Sequence, residues 1–265
     1  MTAVNDGSRI LAALATVRDP ELDEPITALG FVASCALSAD GRAEVRLRLP
    51  TYFCAPNFAF LMVADAHDAV SAMEGVRHTE VVLEDHFAAE AINDGVAARA
   101  GFQRSFAGEA AGELDQLRAD FLRKAVLAGT DQVCRSLLTA APTPDTAPAP
   151  TARPGGGLDG GSDGGPDSGP DAGSVVLARL TLGDVPGSPA LDRLRQRRRE
   201  LGLPAGDDAP LLIDPATGAP IGADAVPRHL RRARTTRVGI EANTGICRGM
   251  LRHRYQDKGE GEEDR

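Results

Sequence analysis

Tryptophan is absent from this sequence of 265 residues, and aromatic residues together make up only 4% of it. A hydrophobic core must therefore be built mainly from alanine, leucine and valine. Long apolar runs are absent as well. The longest extends from Phe58 to Ala64, far short of the roughly 20 residues that span a membrane. Residues 1–9 also lack the basic start and apolar run of a signal peptide. The sequence thus favours a protein without a membrane partner.

Paired cysteine motifs are the next absence. The four cysteines are far apart in the chain and none belongs to a C-x-x-C pair; they are Cys35, Cys54, Cys134 and Cys247. Because no signal peptide is expected, we predict a cytoplasmic protein whose thiols stay reduced. This prediction excludes a disulfide framework.

Positive charge is outweighed by negative charge, since the net charge is −9. Residues 1–140 hold 12 basic and 20 acidic side chains (−8), whereas residues 175–265 hold 16 basic and 13 acidic ones (+3). A protein that is acidic as a whole is not expected to bind nucleic acid. The basic C-terminal part is suited to an acidic partner.

The spacing of apolar residues predicts an α+β fold for the first third of the chain. Helical patterns cover 8–17 and 58–73, and strand patterns cover 31–38, 43–49 and 76–83. A helix between the second and third strands fits a crossover that packs on one face of a small mixed sheet. The predicted domain, residues 1–87, is therefore two-layered, with the order helix–strand–strand–helix–strand.

Four further segments are predicted beyond this domain. A helical extension covers 88–139, and 140–174 consists almost entirely of Pro, Gly, Ala, Asp and Ser, which is typical of a disordered linker. A small mixed, basic α/β region follows at 175–255, before a charged tail at 256–265. Within this region we expect a strand at 175–182 and helices at 189–201, 224–234 and 243–255.

The turn at residues 51–56 carries the main indication of function. A strand pattern ends at Pro50, a helical pattern begins near Pro56, and Cys54 lies between them. The unpaired N–H groups of a helix start carry partial positive charge, so a thiol placed there ionises more readily than a free cysteine. A thiolate is the ligand that an iron–sulfur cluster or a soft metal needs. The alternative is that Cys54 is a small buried residue at the start of a helix.

An acidic loop between two prolines, residues 18–25, is a second candidate for the site. It can lie at the same end of the sheet as the Cys54 turn. Asp19 and Glu21 are its candidate functional side chains. The alternative is that they only end a helix and form hydrogen bonds within a turn.

Four motifs in this part of the chain resemble, in their order and spacing, the small iron–sulfur cluster assembly-factor family. They are Asp19-Pro20-Glu21, Leu29-Gly30-Phe31-Val32, Thr51 with Cys54 and Pro56, and Gly75-Val76 before a valine-rich strand. The resemblance covers residues 8–86. That family includes metal–sulfur cluster biosynthetic proteins and maturation proteins of the phenylacetate-oxygenase system.

The resemblance implies a compact two-layer α+β domain that handles or delivers iron–sulfur clusters. It also implies that Cys54 is the key ligand, and it matches Asp19, Glu21 and Thr51 to the other motif residues. Two features depart from the family pattern. Ala55 stands between the cysteine and the proline, and Glu84-Asp85-His86-Phe87 stands where a tryptophan-containing segment is common.

A single thiol cannot complete a four-coordinate metal site. Further ligands must come from a second subunit, from elsewhere in this chain or from a client protein. Cys134, Cys247 and His86 are the additional candidates within the chain. Each cysteine also fits a place in a core, and the histidine also fits a place on the surface.

We therefore predict an accessory factor that is not an enzyme. It holds an iron–sulfur cluster or iron transiently through Cys54 and passes it to a client metalloenzyme or to other assembly proteins, and a homodimer is compatible with this role. The alternative is a scaffold that binds no cluster and helps to assemble a multi-component oxygenase, such as a di-iron enzyme. A third interpretation, a thiol enzyme with Cys54 as nucleophile, lacks a well-placed base.

Overall fold

The computed structural model describes residues 3–108, 114–140 and 172–256. The chain divides into two compact units, one formed by Met1–Leu122 with Val238–Arg265 and the other by Arg123–Arg237. Most of the predicted linker, 140–174, and of the predicted tail, 256–265, lies outside the described residues. Within the described residues, no helix is long and apolar enough to cross a membrane.

The first unit contains the predicted succession of helix, strand, strand, helix and strand, and the α+β fold class is confirmed. Its elements are α1 (Ala3–Leu14), α2 (Ile26–Leu29), β1 (Val32–Leu37), β2 (Arg42–Leu47), α3 (Pro56–Ser71), β3 (His78–Leu83), α4 (Ala89–Ala97), α5 (Phe102–Ser105) and the start of α6 (Asp115–Ala140). The one-turn helix α2 is additional to the elements predicted from the sequence.

The three strands form one mixed sheet in the order β1-β2-β3. β1 and β2 pair as an antiparallel hairpin, and β2 and β3 pair in parallel, with α3 as the crossover between them. Along β2 the side chains alternate: Ala43, Val45 and Leu47 are buried. Arg42 and Arg46 lie on the other face, where they form ion pairs with glutamates of β3 and its end. This alternation of two faces is what fixes the register of the sheet.

The C-terminal helix α9 (Val226–Gln256) is continuous, whereas the sequence predicted two separate helices. Its last turns belong to the first unit. Leu251 is 6% exposed and is part of the same core cluster as Val45, Val63 and Leu83. The first unit therefore combines the N-terminal part of the chain with its C-terminal helical segment, an arrangement that the linear division predicted from the sequence does not contain.

The second unit is built from helices. It contains the rest of α6, α7 (Ala172–Arg179), a 3-10 turn (Leu182–Asp184), α8 (Pro189–Glu200) and the first turns of α9. The predicted strand at 175–182 is wrong, since most of it lies in α7. A strand needs a partner, and in the described part of this unit pairing is limited to isolated bridges such as Thr181 with Pro210. Leu177 packs against the unit's core instead.

Arg198 of α8 is buried, although its neighbours in sequence suggest an exposed position. The arginine run of α8 has the pattern of a solvated helix face, yet Arg198 is the largest fully buried side chain among the described residues. It donates hydrogen bonds to the carbonyl oxygens of Pro210 at 2.8 Å and Leu211 at 2.6 Å. Burial lowers the pKa of its guanidinium to about 10. This arginine thus fastens an extended segment to α8 and is not a surface charge.

The hairpin turn between β1 and β2 allows a stability test. Gly41 and Gly75 both have positive φ, +85° and +87°, but a side chain at Gly41 would lie 2.6 Å from the carbonyl oxygen of Gly75, whereas one at Gly75 would meet nothing within 4 Å. We expect Gly75→Ala to cost roughly 1–2 kcal/mol through backbone strain alone. Gly41→Ala should cost clearly more. Urea unfolding of both variants measures the difference, and equal losses would contradict the predicted clash.

Candidate functional site

The Cys54 thiol lies in a short loop between β2 and α3. Pro56 begins α3, and the preceding residue, Ala55, is the N-cap and supplies no side-chain hydrogen bond. The thiol is half-buried, and its sulfur lies 3.3 Å from the hydroxyl oxygen of Thr51. That oxygen also accepts a hydrogen bond from the backbone N–H of Phe53 at 3.2 Å. Thr51 therefore holds the loop together and contacts the sulfur. It is the residue that the family resemblance matched to the motif threonine.

His86 holds the loop from the other side. Its Nδ1 accepts the backbone N–H of Ala88 at 3.1 Å, so Nε2 carries the proton and donates to the carbonyl oxygen of Cys54 at 2.8 Å. The imidazole is 5% exposed, and burial lowers its pKa. His86 was a candidate metal ligand. Both of its ring nitrogens are engaged with the backbone, which gives it the geometry of a positioning residue.

Asp19 organises the acidic loop through its own side chain. Its Oδ1 accepts the backbone N–H groups of Glu21 at 2.9 Å and Leu22 at 2.8 Å. The carboxyl group is 7% exposed. Its pKa is raised to about 6, chiefly by burial; the two hydrogen bonds oppose this shift and the charge of Glu21 adds to it. Asp19 therefore has the turn-forming role considered above, and its carboxyl group titrates close to neutrality.

Helix α9 brings a second thiol to this region. Asn243, Cys247 and Leu251 are spaced four residues apart and lie on one face of the helix. Asn243 donates to Glu21 at 3.3 Å, and Arg248 forms an ion pair with Glu24 at 2.5 Å. Leu251 is buried in the core. Cys247 thus lies between a contact with the acidic loop and an anchor in the core.

The pKa of Cys247 reports what surrounds it. Burial raises the pKa of this thiol to about 11, with further contributions from the charges of Asp19, Cys54 and Glu21, in that order. The charges of Asp19, Cys54 and Glu21 therefore all act on the Cys247 thiol. A thiol with this pKa keeps its proton near neutrality until a cation displaces it.

The end of α9 is fastened to the two segments that hold the Cys54 loop. Arg254 donates to the backbone carbonyl oxygens of Leu49 at 3.1 Å and Asp85 at 2.5 Å. The guanidinium of Arg48 lies over the Tyr255 ring, 4.7 Å from its centroid. Sequence reasoning missed this role of α9. The available signal was the four-residue spacing of Cys247, Leu251 and Tyr255.

Cys134 has a different environment. It is 3% exposed and packs with Val126 and Val133 in the core of the second unit. Burial raises the pKa of its thiol to about 12, and the charge of Asp131 adds to the shift. These surroundings match the alternative interpretation of Cys134 as a core cysteine.

The donors of the first unit fit thiophilic cargo only in part. Thiols are the ligands that iron–sulfur clusters and soft metals prefer, and the site brings two of them near two carboxylates. Among the described residues, however, no group of three or more His, Cys, Asp or Glu side chains is arranged to hold a metal ion. The described part of one chain therefore presents an incomplete ligand set.

Comparisons with known proteins identify relatives of the first unit. Residues 8–83 match a family model described as an iron-sulfur cluster assembly protein. An uncharacterized protein of Methanocaldococcus jannaschii is 31% identical over 85 residues, which cover 32% of this chain and 87% of that protein. No solved structure matches the chain. The family match includes the acidic loop, the sheet and Cys54, whereas His86 and Cys247 lie beyond it.

The raised pKa of Asp19 predicts a pH-dependent stability. The protonated carboxyl is favoured in the fold, so the stability it confers is complete below the unfolded pKa of about 3.9 and is lost as pH rises through about 6. Asp19→Asn keeps the accepting oxygen and does not ionise. At about 1.4 kcal/mol per pKa unit, the free energy of unfolding of the parent should fall by about 2–3 kcal/mol relative to the variant. Urea unfolding from about pH 4 to pH 7 tests this, and parallel profiles would contradict it.

Proposed function

The chain belongs to the iron–sulfur cluster assembly protein family through residues 8–83, and from this premise we propose that it holds iron or an iron–sulfur cluster at Cys54 and passes it to a client metalloenzyme. The cluster is cargo and not a resident cofactor. The observation that carries the proposal is the half-buried Cys54 thiol in a loop whose backbone is held by His86, in a unit whose core Cys247 also packs against.

Transfer by ligand exchange suits this arrangement. A thiol loses its proton when it binds a cation. The Thr51 hydroxyl, 3.3 Å from the Cys54 sulfur, is placed to donate a hydrogen bond to the thiolate that results. Cys247 must give up a proton that its surroundings hold tightly. A second ligand that gives up its proton only reluctantly favours a hold that a client's thiols can displace.

The proposed role is not enzymatic. A cysteine nucleophile needs an adjacent base. His86 contacts the Cys54 loop, but its Nδ1 accepts one hydrogen bond and its Nε2 donates another, both with backbone groups. The Cys54 loop is thus supported by a histidine that fixes its backbone and does not contact its sulfur through any hydrogen bond in the described structure. This supports a carrier over a thiol enzyme.

Reconstitution with iron and sulfide under anaerobic conditions tests the ligand assignment. Cys54→Ala should lose most of the cluster absorbance, because the substitution removes the proposed key ligand. The matched control is Cys35→Ala, since Cys35 is also half-buried but contacts the Gly7 carbonyl oxygen on another part of the sheet. Iron and sulfide content per chain is the measurement. If Cys54→Ala retains as much as the parent, Cys54 is not the ligand.

Cys247 and Cys134 provide a second pair of variants. Cys247→Ala should lower the retained iron and shorten the lifetime of the bound cluster, because it removes the second thiol of the proposed site. Cys134→Ala should leave both unchanged, because that thiol lies in the core of the second unit. The rate of iron loss to a chelator measures the lifetime. Equal effects of the two substitutions would remove Cys247 from the site.

The cluster-free scaffold is the competing function. The observation that favours it is the incomplete ligand set among the residues that the structure describes. The two functions separate in one experiment, binding of a purified client oxygenase subunit to the parent and to Cys54→Ala. Binding that persists in the variant, together with a parent that never retains iron, would establish the scaffold.

A further inference from the structure

A surface cleft in the second unit lies between α6 and the first turns of α9, and its volume is about 460 Å³. Its floor is apolar and is formed by residues that are buried or half-buried, namely Cys134, Pro227 and Leu230. Its rim carries three exposed arginines, which are Arg135 of α6 and Arg231 and Arg234 of α9. We call this feature the arginine cleft. The family match ends at residue 83 and assigns no role to this unit.

The arginines at the start of α9 follow one another along a row of neighbouring turns. They are spaced three residues apart, at Arg228, Arg231, Arg234 and Arg237. Side chains at this spacing are neighbours on a helix, and like charges there repel one another. The first acidic residue of α9 is Glu241, so no carboxylate of this helix lies within one turn of Arg231 or Arg234. The row therefore carries a repulsion that α9 itself does not relieve.

Asp131 of α6 shows how a carboxylate is held against this row. Its Oδ2 lies 2.6 Å from the Nε of Arg237, and the two side chains are only 9% and 8% exposed. Asp131 also lines the cleft, but because it is already paired it opposes an incoming anion little. In the part of the chain that the structure describes, Arg231 and Arg234 have no such ion pair. These two arginines are therefore available to a carboxylate from outside the chain.

The charge of the second unit contrasts with that of the whole protein. Residues 123–140 and 172–237 hold 14 basic and 8 acidic side chains (+6), whereas the whole chain has a net charge of −9. An acidic partner is attracted by the first of these charges and repelled by the second. The charge pattern therefore directs such a partner to the unit that contains the arginine cleft.

The lining of the cleft disfavours two other kinds of anion. Single-stranded nucleic acid is commonly bound by stacking on aromatic side chains, and residues 123–237 contain no aromatic residue. Small-molecule sites bury most of their ligand. A small anion held by arginines that are exposed at the rim would remain largely in water.

The same lining suits a short stretch of acidic polypeptide. An arginine guanidinium binds a carboxylate through two parallel hydrogen bonds, and the apolar floor offers a place for an apolar side chain. The residues of α9 that line the cleft extend from Pro227 to Arg234, which is about 10 Å along the helix axis. That length accommodates about three residues of extended chain.

We propose that the arginine cleft docks a short acidic segment of a partner protein, whose carboxylates pair with Arg231 and Arg234 while an apolar side chain lies on the floor. The proposal is independent of the carrier function, because every residue of the cleft belongs to the second unit. A contact of this size is expected to be weak. Because its ion pairs lie at the surface, salt should weaken it further.

Fluorescence anisotropy of the full chain with a labelled peptide tests the proposal. The probe is built from Glu-Leu-Asp repeats, and its control replaces each carboxylate by an amide, as Gln-Leu-Asn repeats of the same length. We expect saturable binding of the acidic peptide, weaker at higher salt, and no saturable binding of the amide peptide. A peptide of Glu-Ser-Asp repeats should bind less tightly than the leucine peptide, because serine does not cover the apolar floor.

Two double variants with the same change in net charge locate the binding site. The cleft variant, Arg231→Gln with Arg234→Gln, should weaken binding of the acidic peptide roughly tenfold or more. The matched control, Arg193→Gln with Arg199→Gln, removes two exposed arginines of α8 and should bind within about twofold of the parent. Glutamine is about as good a helix former as arginine, and far-ultraviolet circular dichroism checks that both variants fold.

The comparison of the variants decides the outcome. If both double variants lose affinity equally, the peptide is attracted by the overall charge of the unit, and the cleft is not its site. If the parent shows no saturable binding, or binds the amide peptide equally well, the contact is overturned. Iron retained after anaerobic reconstitution should be the same in the parent and the cleft variant, so a failure of the carrier function leaves this test unaffected.

Other occupants of the cleft have their own signatures. A labelled single-stranded DNA oligonucleotide that binds more tightly than the acidic peptide, and loses affinity in the cleft variant alone, would overturn the proposal in favour of nucleic acid. Glutarate that displaces the peptide at equal concentration would overturn it in favour of a small dicarboxylate. Self-association of the parent that the acidic peptide reverses in analytical ultracentrifugation would overturn it in favour of a second copy.

Discussion

The parallel pairing of β2 with β3 is the constraint on which the site depends. Leu47 and Leu83 are paired at the C-terminal ends of the two strands, so the segments that follow both leave the sheet at one edge. One segment carries Cys54 and the other carries His86. The hydrogen bond from the His86 Nε2 to the Cys54 carbonyl joins them directly. The thiol loop has no side-chain cap of its own at the start of α3, so its position follows from the register of the two strands.

Helix α9 packs at the same edge of the sheet. Burial of an apolar side chain holds it there, and ion pairing contributes little. Leu251 is only 6% exposed and packs in the core. The Arg254 guanidinium donates hydrogen bonds to two backbone carbonyl oxygens. In the ion pair of Arg248 with Glu24, the two side chains are 46% and 36% exposed, respectively. Ion pairs that are this exposed contribute little to stability. The apolar anchor therefore keeps the helix in place, and the polar contacts of Asn243 and Arg248 fix its rotation against the acidic loop.

Local patterns were sufficient for the part of the fold that repeats with a fixed period. The alternation along β2, the Asp40-Gly41 turn and the apolar stripe of α3 each follow from residues that are near in sequence. The place of Cys54 before Pro56 follows from the same kind of pattern. The strand expected at 175–182 failed because Val175 and Val176 favour a strand only where a partner strand exists.

The rest of the site depends on contacts between residues far apart in the chain. Asn243 contacts Glu21, and neither residue carries a local signal for the other. The buried Arg198 could not be distinguished by sequence from the exposed arginines beside it, because its partners are the backbone carbonyls of residues 210 and 211. The role of His86 was missed for the same reason, since backbone groups are its partners.

The chemistry of the site follows from bringing acidic groups together. Asp19, Glu21, Cys54 and Cys247 are all anionic when ionised. In the folded chain without cargo, the surroundings reduce that repulsion. They raise the pKa of Asp19 to about 6 and that of Cys247 to about 11. A bound cation reverses the balance, because it stabilises the deprotonated forms and releases their protons. In the proposed carrier, proton binding and cargo binding are therefore opposed, and the burial that keeps Cys247 protonated would also weaken its hold on the cargo. A carrier needs that property, since it must give up what it binds.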